Sequence, residues 1–183
     1  MSEVDRLLKR YADAISIPWS TAKSDVERTL FVIYDRAKER QLRFHIDDFR
    51  SQTERAGKKW LQLDVTDSLP QWFSTHPYRD EYFLYPGDQP GYAEGQLEEF
   101  EQSLVKALHA RISKEATAEH AVAVLGAGSL FGFARVSDVM KRLAAAIPGR
   151  LVVFFPGEKV DNNYRLLGAR DGWGYLATAI TAD

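Results

Sequence analysis

Apolar and polar positions along this 183-residue chain follow two rhythms, one suited to strands buried on both faces and one suited to helices docked against them. Arg28 to Asp35 (RTLFVIYD), Ala121 to Leu125 and Leu151 to Phe155 are short apolar runs, closed respectively by Asp35, by Gly126 and by Pro156-Gly157. Runs without alternation, rich in Val, Ile and Phe, are the pattern of parallel strands covered on both sides. Trp60 to Val65 alternates instead, then yields to TDSLP, which reads as a helix start capped by Asp67 or Ser68. Helical spacing links Val4, Leu7, Leu8 and Tyr11; it also links Leu42, Ile46, Phe49 and Thr53 within one long polar helix from Lys38 to Lys59. The same spacing joins Leu97, Phe100, Leu104, Ala107, Leu108 and Ile112 in a helix to Glu115, and Val136, Val139, Met140, Leu143 and Ile147 in a helix ended by Pro148-Gly149. A short helix passes through Trp72 and Phe73, and two short terminal strands lie in YRLLG and YLATAI, the last at a sheet edge.

These elements predict one fold class. The stretch from His120 to Glu158 is strand, glycine-rich loop, helix, strand, which is a right-handed parallel βαβ unit. With the earlier strands it predicts a single three-layer α/β domain over residues 1–183, having a mostly parallel central sheet of about five strands and helices on both faces. The amphipathic helix in residues 1–17 has an apolar stripe that can dock on this domain or on a partner. Tyr82 to Gln96, with two prolines and three glycines, reads as an insertion or hinge loop.

Ligands of open α/β sheets sit at the carboxyl ends of the strands, so the loop after Leu125 is the first place to look for chemistry. Gly126, Gly128 and Gly132 make GxGxxxG, Ser129 and Arg135 are its polar members, and Glu158 follows the next apolar run where a ribose-binding acid would stand. The spacing does not fit a phosphate loop of the NTPase kind, since three residues separate Gly128 from Gly132 and Phe133 occupies the lysine position. Phe131 and Phe133 also set bulky groups where a pyrophosphate needs close backbone approach. A tight, partly buried strand-to-helix turn is therefore the expected structure, with Arg135 ion-paired to a strand-end acid such as Glu158. A nucleotide- or phosphate-handling enzyme using Gly126 to Arg135 is the alternative, with Arg135 and a helix N-terminus holding the anion. Asp35 is expected to cap the following turn. No catalytic constellation is recognisable: His45, His76, His109 and His120 are scattered, cysteine is absent, and no GxSxG elbow is present. No metal or cofactor is expected.

The run LGAGSLFGFARVSDVM, followed a helix later by LVVFFPGE and then by YRLL and RDGWGYLATAI, resembles the BrxB family of BREX bacteriophage-defence systems. These features cover about the last 65 residues, counted from the same sequence. The resemblance implies a component of a multi-protein assembly that also contains a DNA methyltransferase, an alkaline-phosphatase-like protein of the PglZ type and large ATPases. It carries over no catalytic residue.

Composition narrows the picture further. With 24 basic against 26 acidic residues, no whole-molecule field draws the chain to nucleic acid. Met1 to Ala14 lacks the apolar core of a signal peptide, so a cytoplasmic protein with no membrane association is expected. Together with this, the resemblance implies a non-catalytic interaction role, with the PglZ-like component as first-choice partner. The candidate interface residues are Trp19, Tyr78, Arg79, Tyr82, Tyr85 and Tyr92, because exposed aromatics interspersed with Arg, here Arg79 and Arg170, form protein-binding hot spots; Trp72 and Trp173 are expected to pack against the sheet.

Overall fold

Every residue from Thr29 to Tyr34 and from Arg150 to Pro156 is buried, which is what continuous apolar runs require when both faces of a sheet are covered. The computed structural model describes residues 2–20, 22–84, 94–161, 163–167, 173–174 and 177–183. Its elements are α1 (Glu3–Ser16), β1 (Thr29–Tyr34), α2 (Glu39–Phe44), α3 (Ile46–Arg55), β2 (Lys59–Asp64), α4 (Ser68–Ser74), α5 (Arg79–Leu84), α6 (Glu94–Glu115), β3 (His120–Leu125), α7 (Val136–Ala146), β4 (Arg150–Val160), β5 (Asn163–Leu166), β6 (Trp173–Gly174) and β7 (Thr178–Ile180). Five strands run parallel in the order β2-β3-β4-β1-β7; β5 pairs antiparallel with β4, and β6 antiparallel with β5. This is the three-layer α/β domain that the residue pattern predicts.

The period of two along the strands divides the core cleanly. Phe31, Ile33, Leu61, Leu63, Val122, Val124, Leu151, Val153 and Phe155 face α6 and α7. Their neighbours Leu30, Val32, Tyr34, Ala121, Ala123, Val152 and Phe154 face α1, α2 and α3. The chain moves from β1 to the far edge through α2 and α3 on one face, then returns through β2, β3 and β4 with α6 and α7 on the other. Opposite directions on opposite faces keep every crossover in the same hand. The stripe of α1 is used up by the sheet, since Val4, Leu7, Tyr11 and Ile15 are all buried in that layer.

Three expectations are corrected. The predicted helix from Lys38 to Lys59 is a 3-10 turn at Arg36–Lys38 and two α-helices that bend at His45, with β2 already begun at Lys59. Leu42, Ile46, Phe49 and Thr53 are nonetheless all buried, so the face was legible and the bend was not. The fourth apolar run does not stop at Pro156-Gly157. β4 pairs with β1 as far as Pro156, then continues to Val160 as one arm of an antiparallel hairpin with β5. Finally, the predicted loop from Tyr82 to Gln96 is helical at both ends, in α5 and α6, and its centre with Tyr85 and Tyr92 lies outside the described residues.

Two arginines, Arg150 buried and Arg28 half-buried, hold the amino-terminal edge of the sheet. Arg150 donates from Nη1 to Ala14 O (3.0 Å) and from Nη2 to Ile17 O (3.1 Å), capping α1, whose last turn has no basic residue of its own. Arg28 Nη1 donates to the carbonyls of Ile147, Pro148 and Gly149 at 2.8 to 2.9 Å, closing the end of α7 in the same way. Hydrogen bonds from a charged donor contribute about 1.5–3 kcal/mol, and truncation leaves part-buried carbonyls without that donor. Arg150→Ala is therefore expected to lower unfolding free energy by roughly 2–3 kcal/mol with an unchanged m-value, measured by urea denaturation.

Candidate functional site

Both the glycine-rich loop and the main crevice lie at the carboxyl edge of the sheet. β1 ends at Tyr34 and sends the chain to the α2–α3 face, whereas β4 sends it through the β5 hairpin on the other face before β7 joins the far side of β1. The carboxyl ends of β1 and β4 thus flank a topological switch point. An open crevice of about 600 Å³ lies there, lined by Glu3, Arg6, Asp35, Arg36, Glu158, Lys159 and the Thr181–Asp183 segment. Its charged groups join elements together. Glu3 Oε1 accepts from Asp35 N–H at 2.9 Å, Asp35 Oδ1 accepts from Ala37 N–H at 2.9 Å as the expected cap, Arg6 Nε donates to Ala182 O at 3.1 Å, and Arg36 Nη1 donates to Leu167 O at 2.7 Å. Among the described residues no group of His, Asp and Glu has the arrangement to hold a metal ion.

The glycine loop is a tight turn. Gly126 takes φ +79, and a 3-10 turn over Ala127–Leu130 follows. The N–H groups of Ser129, Phe131, Phe133 and Ala134 donate back to carbonyls of Gly126, Gly128 and Leu130, at 2.9 to 3.2 Å. Ser129 Oγ donates to Val65 O (3.1 Å) and Gly126 O (2.7 Å), so it braces the loop against the exit of β2. Arg135 N–H, at the start of α7, donates to Glu101 Oε2 at 2.8 Å. The position where an anion would meet this helix N-terminus is filled by a carboxylate from α6.

One reading of the loop is corrected by this geometry. Arg135 does not pair with Glu158: its Nε is 3.4 Å from Asp138, while Glu158 lies inside the extended β4, 3.9 Å from Arg165. Charge neutralisation at α7 comes from Glu101 of α6, a residue that sequence reading did not single out. Phe131 and Phe133 are 49% and 37% exposed. Phe133 forms one wall of a 540 Å³ groove with Leu97, Glu98, Glu101 and Arg135.

Of the aromatic interface candidates, Tyr78 is exposed at 57%. Arg79 beside it bonds Asp80 Oδ1 (3.0 Å) and Ser74 O (3.2 Å). Trp19 is half-buried; its Nε1 donates to Ile15 O at 3.1 Å, and Arg150 and Lys58 stand 4.9 and 4.8 Å from its ring. That makes it part of the α1 cap. Trp72 packs against Phe100, with ring centroids 5.6 Å apart. Tyr82 lies in α5, and Trp173 pairs through its backbone with Tyr164; Arg170 lies outside the described residues.

Sequence reading missed a polar chain across the same edge. Tyr34 Oη, at the end of β1, donates to Glu39 of α2; Arg43 Nε donates to the other Glu39 oxygen (2.6 Å), and its Nη1 and Nη2 reach Asp64 Oδ2 (2.9 Å) and Thr66 Oγ1 (2.6 Å) beyond β2. Burial, then the bond to Glu39, raises the Tyr34 phenol far above its ordinary value and keeps it a donor. Burial alone would raise the Asp64 carboxyl, but hydrogen bonds from Thr66 and Arg43 outweigh it and hold it below the usual aspartate range. An i, i+4 Glu–Arg pair on a polar helix is a common surface pattern, so its role as a bridge between strands was not legible.

The turn and this network touch at Thr66. A Cβ on Gly126 would lie 2.3 Å from Thr66 Oγ1 and 2.8 Å from Thr66 N, whereas one on Gly128 would meet Pro156 Cγ at 3.1 Å without a left-handed φ. Gly126→Val is expected to cost at least about 3 kcal/mol, from strain and the backbone clash together, and Gly128→Val clearly less; parallel thermal melts order the two. Because Asp64 titrates lower in the folded chain, its contribution is present above the ordinary value of 3.8 and lost as pH falls through the lowered one. Asp64→Asn is expected to reduce stability at neutral pH and to flatten the acid limb below that value, read from urea midpoints against pH.

No protein-family model matches the chain, and neither the curated proteins nor the solved structures contain a match to it.

Proposed function

We propose that this chain is a non-catalytic interaction component of a BREX-like phage-defence assembly, presenting the loop between β3 and α7 to the PglZ-like member. The observation that carries the reading is the state of that loop: four of its amides are turned inward, Glu101 fills the helix N-terminus, and Phe131 and Phe133 stand in solvent. Exposed aromatic rings beside an arginine, on a turn held rigid by the sheet, suit recognition of a protein surface. The same geometry offers few donors to a phosphate, which weighs against a nucleotide-handling enzyme. Resemblance of GSLFGFAR and FFPGE to the BrxB family supports the choice of assembly.

Co-expression of the tagged chain with the other defence proteins, followed by size-exclusion chromatography, is the test. Co-elution with the PglZ-like protein is expected, and Phe131→Ser with Phe133→Ser should abolish it while leaving the melting curve in place. Elution apart from every other component overturns the proposal. Deletion of the chain should abolish both phage restriction and host-DNA methylation. Calorimetry should detect no tight binding of ATP or GTP; micromolar binding lost on Arg135→Ala would move the assignment to the enzyme class.

A further inference from the structure

The two edges of the parallel sheet differ. β7 offers only the three residues Thr178–Ile180, whereas β2 is a regular six-residue strand that, among the described residues, pairs with β3 alone. Lys59 N–H donates to Glu119 O and Val65 N–H to Leu125 O, each at 2.9 Å, so the odd-numbered residues of this strand turn their peptide groups toward β3. By the two-residue period, Trp60, Gln62 and Asp64 turn theirs outward. No hydrogen bond reaches the main-chain N–H or C=O of these three among the described residues. The outward set is closed at both ends, because Lys58 N–H is bonded to Thr53 O (3.1 Å) and Thr66 N–H to Asp64 Oδ1 (3.0 Å). An open strand edge of this kind is a template for another strand.

We infer that this edge is a self-association site, at which a second copy of the chain adds its own β2 antiparallel about a two-fold axis through Gln62. Three outward residues can all be used in a self-pairing only when the middle one meets itself. Gln62 then faces Gln62 of the second copy and Trp60 faces Asp64, each pair exchanging two hydrogen bonds. The side chains agree with that register: Leu61 comes opposite Leu63 on the α6 face, and the Trp60 indole N–H, which now makes a long 3.3 Å bond to Gln62 Oε1, comes opposite a carboxylate. Charge favours the same direction. Lys58 and Asp64 are already paired with Glu119 and Arg43, but Lys59 stands at one end of the strand and Asp67 just beyond the other, so antiparallel addition sets basic toward acidic, and a parallel one would set like toward like. The product is one continuous sheet through both copies, with each copy's loop between β3 and α7 one strand in from the seam.

The purified full-length chain is expected to give a light-scattering mass of twice 20.8 kDa at high concentration, falling toward 20.8 kDa on dilution. Gln62→Pro removes an outward N–H without touching the bonds to β3, which edge strands tolerate, and should yield a folded monomer with an unchanged circular-dichroism spectrum. Since the chain has no cysteine, Gln62→Cys is a clean register probe: residues paired across an antiparallel two-fold have Cα atoms about 5.5 Å apart, within disulfide reach. It should cross-link nearly completely on mild oxidation, and Lys59→Cys, which meets Val65 instead, should not. A monomer at every concentration overturns the inference, as does a dimer that persists in Gln62→Pro. Should the proline variant fail to fold, the cysteine pair decides alone: cross-linking at Lys59→Cys as readily as at Gln62→Cys refutes the register. Protection of Trp60 to Asp64 from hydrogen exchange only when another defence protein is added would assign the edge to that protein and overturn self-pairing.

Discussion

Burial of β4 on both faces is the constraint from which the rest of the structure follows. Leu151 to Phe155 are almost completely inaccessible, clamped between β3 and β1 in the sheet and between two helical layers across it. Such a strand must satisfy all its peptide groups from its neighbours, and it stops being central where they stop. Leu151 N–H donates to Arg28 O, so Pro156 would direct its missing N–H toward β3, whose pairing has already ended at Val153. The proline thus sits at the one place where the strand can lack a donor and exchange partners. Gly157 follows because a Cβ there would lie 2.1 Å from Arg165 O, in the hairpin that takes over.

What the sequence shows and what it conceals divide along this line. The four parallel strands at the centre and edge were readable because residues covered on both faces need continuous or alternating apolar runs, and little else satisfies that demand. The helix faces were readable for the same reason, as Leu42, Ile46, Phe49 and Thr53 show. The bend at His45 was not: the periodicity runs through it, and the break serves Glu39 and Arg43, whose partners Tyr34, Asp64 and Thr66 lie on other elements. The extension of β4 was hidden for a similar reason, since Pro156-Gly157 is a stop signal locally and becomes a change of partner only when β5 is present.

At the candidate site, the glycines were found and their purpose was not separable from a phosphate loop by spacing alone. The structure separates them by accounting for donors. Gly126 is required by Thr66 pressing on its α-carbon, and the N-terminus of α7 receives a carboxylate from the neighbouring helix. Glu101 carries no local mark of that task. A helix beginning after a glycine-rich turn is an anion site only if its own fold has not already supplied the anion.

The place of β1 bears on how the chain is made. Its six residues are among the most apolar in the molecule, yet they pair with β4, about 120 positions later, and with β7, later still. At synthesis rates of roughly 5–20 residues per second, β1 leaves the ribosome some 6–25 s before its first strand partner exists. In that interval only α1, α2 and α3 are at hand to shelter it, and they cover one of its faces. Nascent chains of this topology carry an uncovered, unpaired apolar segment through most of their translation, and their yield depends on what holds that segment until Leu151 to Phe155 arrive.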